Sequence, residues 1–261
     1  MNQHRFVWHD LSTNDVEGAK RFYGEVFNWK FEGSERDYVH VSAGDRMIGG
    51  IRALGADEKQ PPAWLGYVGV ADVAATVATM EKASGRVYVP TTVMDKVGTF
   101  AVVADPTGAV LAPWRSARDE ENKPEAPIAL PAPGTFCWDE LVTTDPDAAG
   151  KFYATVFGWA PQSMDMGGGR TYTLFRRPGT TGFDGQPIGA GGMMKSPPGV
   201  PHSFWVAYVS VENVDQSSER AAKLGGKIMV PPTDIPNVGR FACWSDPQQA
   251  AIAVLQPAPM K

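Results

Sequence analysis

Residues 6–29 read FVWHDLSTNDVEGAKRFYGEVFNW, and residues 136–159 read FCWDELVTTDPDAAGKFYATVFGW. The two stretches match at 11 of 24 positions without a gap, so one reading serves both. Side chains alternate along an extended chain, so Phe6, Trp8 and Asp10 share one face of a strand. Phe136, Trp138 and Glu140 share the equivalent face. Thr13-Asn14-Asp15 then offers a helix cap. Ala19, Phe22, Tyr23, Val26 and Phe27 follow at helical spacing and form one apolar stripe.

A second block also returns. Trp64, Tyr67, Val68, Gly85, Val89-Pro90, Val97-Gly98, Phe100-Ala101 and Asp105-Pro106 recur 141 residues later. There they are Trp205, Tyr208, Val209, Gly226, Val230-Pro231, Val238-Gly239, Phe241-Ala242 and Asp246-Pro247. A period this long marks a duplicated domain, since solenoid repeats run to about 20–50 residues. Strands are expected over 6–11, 38–42, 47–51, 64–70, 87–90, 99–104 and 109–114, with their counterparts in the second half. Helices are expected from about Asp72 to Ser84, Pro146 to Phe157 and Val214 to Leu224. Asp105-Pro106-Thr107-Gly108 reads as a hairpin turn.

These elements predict an α+β chain of four tandem βαβββ modules that form two cupped mixed sheets. The expected division is 1–118, a proline-rich linker 119–134, and 135–261. A sheet carries its helix on one face. The other face must be covered or must line a hollow.

Bulk properties narrow the function. A length of 261 residues suits two cores of about 130. A net charge of -5 speaks against nucleic acid, which favours a basic surface. No apolar run reaches the roughly 20 residues that span a bilayer, and Met1–Trp8 has no secretory pattern. Cys137 and Cys243 fall in expected strands and read as a reduced pair. The expected location is therefore the cytoplasm. Gly167-Gly168-Gly169 and Gly189–Gly192 lack the Lys-Ser/Thr ending of a phosphate loop. No nucleophile elbow or dinucleotide fingerprint is present.

The pattern aromatic-x-Trp-x-acid-Leu, Thr-x-Asp, Phe-Tyr-x-x-Val-Phe-x-Trp resembles the vicinal oxygen chelate superfamily. So does the Asp105-Pro106-Thr107-Gly108 turn, of which Asp246-Pro247-Gln248-Gln249 is a diverged copy. That group includes glyoxalase I, extradiol dioxygenases and bleomycin resistance proteins. The chain is most similar to its two-domain, glyoxalase-like or hydroxylase-type actinobacterial members. The resemblance covers nearly everything outside the linker.

The resemblance implies metal ligands at about Trp8, Gly49 or Gly50, Leu65 and Ala112. In the second half they fall at Trp138, Gly192, Val206 and Ala253. None of these is a donor of the kind a metal requires. No metal or other cofactor is therefore expected. A cluster of His9, His40 and Asp10 remains the one conceivable substitute. Glyoxalase I and extradiol dioxygenase chemistry are not expected.

The hollows are instead expected to hold a carboxylate each, Asp10 or Glu140, serving as general acid or base. Burial should raise the pKa of each. Trp8, Tyr38, Trp64, Tyr67, Phe100 and Trp114 in one half, and Trp138, Tyr172, Trp205, Tyr208 and Phe241 in the other, suit a flat ligand. Glu140 has the longer reach, and the stretch 164–187 reads as a loop able to act as a lid. The expected partner is an aromatic or apolar small molecule, with no nucleic acid and no membrane. The expected state is a monomer or weak homodimer. A catalyst and a binder, in natural-product tailoring or resistance, stay equally open; the alternatives are a metal-dependent lyase, isomerase or dioxygenase with atypical ligands, and a regulatory interaction module with plugged cavities.

Overall fold

Strand, helix and three strands recur four times in a computed structural model that describes residues 3–34, 38–120, 130–182 and 185–259. The first module runs β1 (Phe6–Thr13), α1 (Val16–Phe27), β2 (Lys30–Ser34), β3 (Tyr38–Ala43) and β4 (Arg46–Ala53). The second runs β5 (Ala63–Gly69), α2 (Val73–Lys82), β6 (Arg86–Met94), β7 (Gly98–Ala104) and β8 (Val110–Ser116). The third runs β9 (Phe136–Thr143), α3 (Pro146–Phe157), β10 (Ala160–Asp165), β11 (Thr171–Arg176) and β12 (Gly189–Lys195). The fourth runs β13 (Phe204–Ser210), α4 (Val214–Lys223), β14 (Lys227–Ile235), β15 (Gly239–Ser245) and β16 (Ala251–Pro257).

Each helix starts where its capping residue predicts. Asp15, Asp72, Asp145 and Asn213 accept the backbone N–H three residues on, at 2.8–3.0 Å. Each such cap stabilises its helix by about 1 kcal/mol. The strands form two mixed eight-stranded sheets, β2-β3-β4-β1-β5-β8-β7-β6 and β10-β11-β12-β9-β13-β16-β15-β14. This is the expected α+β architecture of duplicated βαβββ modules.

Three local expectations change. The sequence reading did not place β2 or β10, whose residues lack clean alternation; every residue of β10 is exposed. The stretch 164–187 is not one loop, because it holds the end of β10 and all of β11, with residues 183 and 184 outside the described set. Strand β6 continues past Pro90 to Met94. It is an edge strand with register shifts between Val87 and Val89 and between Val89 and Thr92. A proline is tolerated there because an edge strand leaves N–H groups outside the ladder. Of the expected linker, residues 121–129 lie outside the described residues.

The sheets follow the sequence repeat, whereas the cores interleave it. One compact unit comprises Met1–Val7, Gly66–Ile128 and Asp139–Trp205; the other comprises Trp8–Leu65, Ala129–Trp138 and Val206–Lys261. In the first, Val77 and Met80 of α2 share a core with Phe152, Tyr153 and Phe157 of α3. In the second, Phe22, Tyr23 and Phe27 of α1 share a core with Val214 and Ala221 of α4 and Trp244 of β15. Each unit buries the helical stripe of one module against the helix side of another, which satisfies the amphipathic pattern.

Candidate functional site

Two kinds of polar cluster stand out among the described residues. The first binds modules together inside each core. In one unit the Tyr23 hydroxyl donates to Asp246 Oδ2 at 3.0 Å and accepts from Trp64 Nε1 at 2.9 Å. In the other, the Tyr153 hydroxyl donates to Asp105 Oδ2 at 2.9 Å and accepts from Trp205 Nε1 at 2.9 Å. Burial, followed by the neighbouring carboxylate charge, raises both tyrosine pKa values well above the usual range. Burial also raises the pKa of Asp246. Trp64 and Trp205, expected to line a hollow, therefore sit in the cores with their indole N–H groups satisfied.

The second kind lies on β1, β3 and β4. Trp8 and Asp10 share a face of β1, as the alternation requires. Trp8 Nε1 donates to Asp10 Oδ1 at 2.8 Å and lies 3.0 Å from the Tyr38 hydroxyl. The Tyr38 hydroxyl donates in turn to Asp10 Oδ1 in a short hydrogen bond. Asp10 is 8% exposed. Burial, then the charge and hydrogen bond of Asp10, push the Tyr38 pKa far up, so the phenol remains a neutral donor.

Tyr38 reaches Asp10 across Gly50. Asp10 pairs with Gly50 in the parallel β1–β4 ladder, and His40 pairs with Gly50 in the antiparallel β3–β4 ladder. Tyr38 stands two residues before His40, on the same face. A Cβ on Gly50 would lie 2.0 Å from the Tyr38 hydroxyl. A side chain at position 50 would force that phenol to move.

The third module repeats this layout. Glu140 pairs with Gly192, and Leu174 pairs with Gly192. Tyr172 stands two residues before Leu174, and a Cβ on Gly192 would lie 1.9 Å from its hydroxyl. Glu140 is half-buried, in contrast to Asp10. Trp138 is half-buried and lies two residues before Glu140 on β9.

The remaining aromatics form separate groups. Tyr67 lies 6.4 Å from Phe100 and 6.0 Å from Trp114, between ring centroids. Tyr208 lies 6.4 Å from Phe241. A cleft of about 530 Å³ lies against α1, between Asp15, Arg21, Leu224 and Gln248. None of the expected site residues lines it.

The expected ligand positions carry no metal-binding side chain. Trp8 donates its N–H, Gly50 and Gly192 have no side chain, and Ala112 and Ala253 are fully buried. The substitute cluster does not assemble either. His9 is buried and stacks on Phe136 at 3.9 Å, while His40 is exposed and meets the Tyr38 ring edge-on at 5.0 Å. Among the described residues, no three His, Cys, Asp or Glu side chains are grouped to hold a metal ion. The residues present do not fit a chelated cation. His4 is partly covered: its ring lies 5.9 Å from Phe157, and burial lowers its pKa. No helix among the described residues is long and apolar enough to cross a membrane.

Known proteins agree with this fold. The model of the Glyoxalase/Bleomycin resistance protein/Dioxygenase superfamily matches residues 4–112 and 136–254. The chain is 34% identical to "Putative glyoxylase CFP32" of Mycobacterium tuberculosis, over 97% of this chain and 95% of that protein. It is 28% identical to "Anthracycline biosynthesis protein DnrV" of Streptomyces peucetius, over 96% and 92%. Among solved structures it is similar to the 2,3-dioxygenase LapB of Pseudomonas sp. KL28, with a TM-score of 0.65 at 13% identity, over 99% and 94%. It is equally similar to a Mn(II)-bound glyoxalase of Novosphingobium aromaticivorans, with a TM-score of 0.65 at 16% identity, over 98% and 82%.

Proposed function

The chain belongs to the glyoxalase/bleomycin resistance protein/dioxygenase superfamily, and we propose that within it the protein handles a flat, largely apolar metabolite without a metal ion. Asp10 acts as the acid/base group, and Glu140 is its counterpart in the third module. One observation carries this reading. Where the resemblance places metal donors, this chain has an indole at Trp8, a glycine at Gly50 and an alanine at Ala112, and a buried carboxylate, Asp10, lies beside Trp8 and Gly50. Asp10 accepts hydrogen bonds from Trp8 and Tyr38 at that place.

A buried carboxylate with fixed donors is held in one orientation, as proton transfer requires. The indole and phenol rings favour a planar partner. The relative named for anthracycline biosynthesis supports the same ligand class, because an anthracycline carries a planar fused-ring system. A tailoring or sequestering role toward such a compound is the reading that joins site and relatives.

The test begins with the full chain purified without metal-affinity resin. Elemental analysis is expected to find less than stoichiometric Mn, Fe, Co, Ni and Zn. Planar quinones are expected to quench tryptophan fluorescence equally with and without a chelator, and Asp10→Asn should weaken that binding. One tightly held transition metal per chain, with binding lost on chelation, would overturn the proposal in favour of metal-dependent glyoxalase chemistry.

A further inference from the structure

The phenol–glycine pairs are the second feature the two halves share, and they lie where a chelating side chain would begin. Gly50 and Gly192 each flank the carboxylate on the neighbouring strand. In each half a tyrosine hydroxyl fills the volume that a Cβ would occupy, 2.0 Å and 1.9 Å from the ideal position. The β3 and β11 sequences, YVHVSA and TYTLFR, have diverged almost completely. The tyrosine has nevertheless stayed two residues before the glycine's partner in both.

We infer that Tyr38 and Tyr172 do the work a cation does elsewhere in this fold, by donating a hydrogen bond to the ligand oxygen that gains negative charge. This rests on the metal-free reading above and assigns a role to residues that reading uses only as supports.

The chemistry follows from the resting network around Asp10. Its carboxylate holds the Tyr38 O–H and the Trp8 N–H while it is ionised. A ligand X–H bond then breaks. The electron pair stays with the ligand and settles on an oxygen, and the proton forms an O–H bond on the Asp10 carboxyl. Nothing is oxidised or reduced. The charge has moved from the protein to the ligand, so the two donors lose their charge-assisted partner and gain another. A preorganised donor of this kind costs no solvent rearrangement at the moment of transfer. The phenol suits the task because burial and Asp10 keep it protonated.

The probe for the test is 2-hydroxyanthraquinone, whose phenol and phenolate differ in colour. It is titrated into the full chain and into Tyr38→Phe, Tyr172→Phe and the double variant, at a pH where the free probe is neutral. The unmodified chain is expected to hold the probe as phenolate. Each single variant should lower the bound phenolate-to-phenol ratio at its site about tenfold or more, the loss expected for a hydrogen bond to a charged group. The double variant should bind the neutral form. If the double variant holds as much phenolate as the unmodified chain, this inference falls and the metal-free reading stands. If the unmodified chain binds neither form, both fall. Should a Phe variant lose its cooperative melting, 3-fluorotyrosine at position 38 replaces it. This stronger donor must raise the phenolate fraction, and an unchanged fraction overturns the inference.

Discussion

The Tyr23 hydroxyl donates to Asp246 at 3.0 Å, joining residues 223 positions apart in the chain. Both belong to motifs that mark the repeat, the Phe-Tyr pair of the helix and the Asp-Pro turn. Tyr153 and Asp105 make the same bond in the other unit. These letters of the repeat therefore act as fasteners inside each unit.

Removing a fastener takes one bond from each of two buried partners. Tyr23→Phe deprives Asp246 Oδ2 and the Trp64 N–H of the hydroxyl, while Asp246 Oδ1 keeps the Ala250 N–H. Tyr153→Phe does the same to Asp105 Oδ2 and the Trp205 N–H, while Asp105 Oδ1 keeps Thr107 and Ala109. Each substitution should cost about 1–3 kcal/mol in urea unfolding. A cost below about 0.5 kcal/mol for both would mean that these bonds contribute nothing net.

Burial raises the Asp246 pKa above its ordinary value of 3.8. The folded chain then binds this proton more tightly than the unfolded chain does. Stability from this group is complete below the unfolded value and is lost as pH rises through the folded one. Asp246→Asn removes the titration. The stability of the unmodified chain relative to that variant should therefore fall as pH climbs from 3.8, read as melting temperature across a pH series. A rising difference would contradict the assignment.

The Asp246 turn has a specific defect. Gln249 occupies the place of Gly108 and takes φ 77°, in the left-handed region that a side chain disfavours. It is exposed, so little packing depends on it. Gln249→Gly should stabilise the chain by about 1 kcal/mol, seen as a higher urea midpoint. Gly108→Gln should cost a similar amount.

Gly50→Ala places a methyl group on the Tyr38 hydroxyl. It should displace the phenol, weaken the Asp10 network and cost about 1–3 kcal/mol. In the Tyr38→Ala background the same change should cost far less, because the clash is gone. Additive costs in this double-mutant cycle would show that the two positions do not compete for space.

Much of this was legible in the letters. The doubled stretch gave strand, cap and helix, since apolar spacing and capping chemistry are local properties. It also placed Trp8 and Asp10 on one face and showed that the expected chelating positions lack donors. Strands β2 and β10 were not legible, because an exposed edge strand needs no alternation. The histidines were only partly so: His9 and His40 look alike in sequence, yet one is buried on Phe136 and the other exposed.

By itself the sequence determined the four modules and their order, because those follow from periodicity and residue type. Only the tertiary structure decided which tryptophans are core. Trp64 and Trp205 bond to tyrosines 41 and 52 residues away, at a range no local pattern encodes. It also decided that Tyr38 and Tyr172 fill the space above Gly50 and Gly192. That space exists only after three strands have paired in register, and a glycine in a sequence carries no record of what will lie over it.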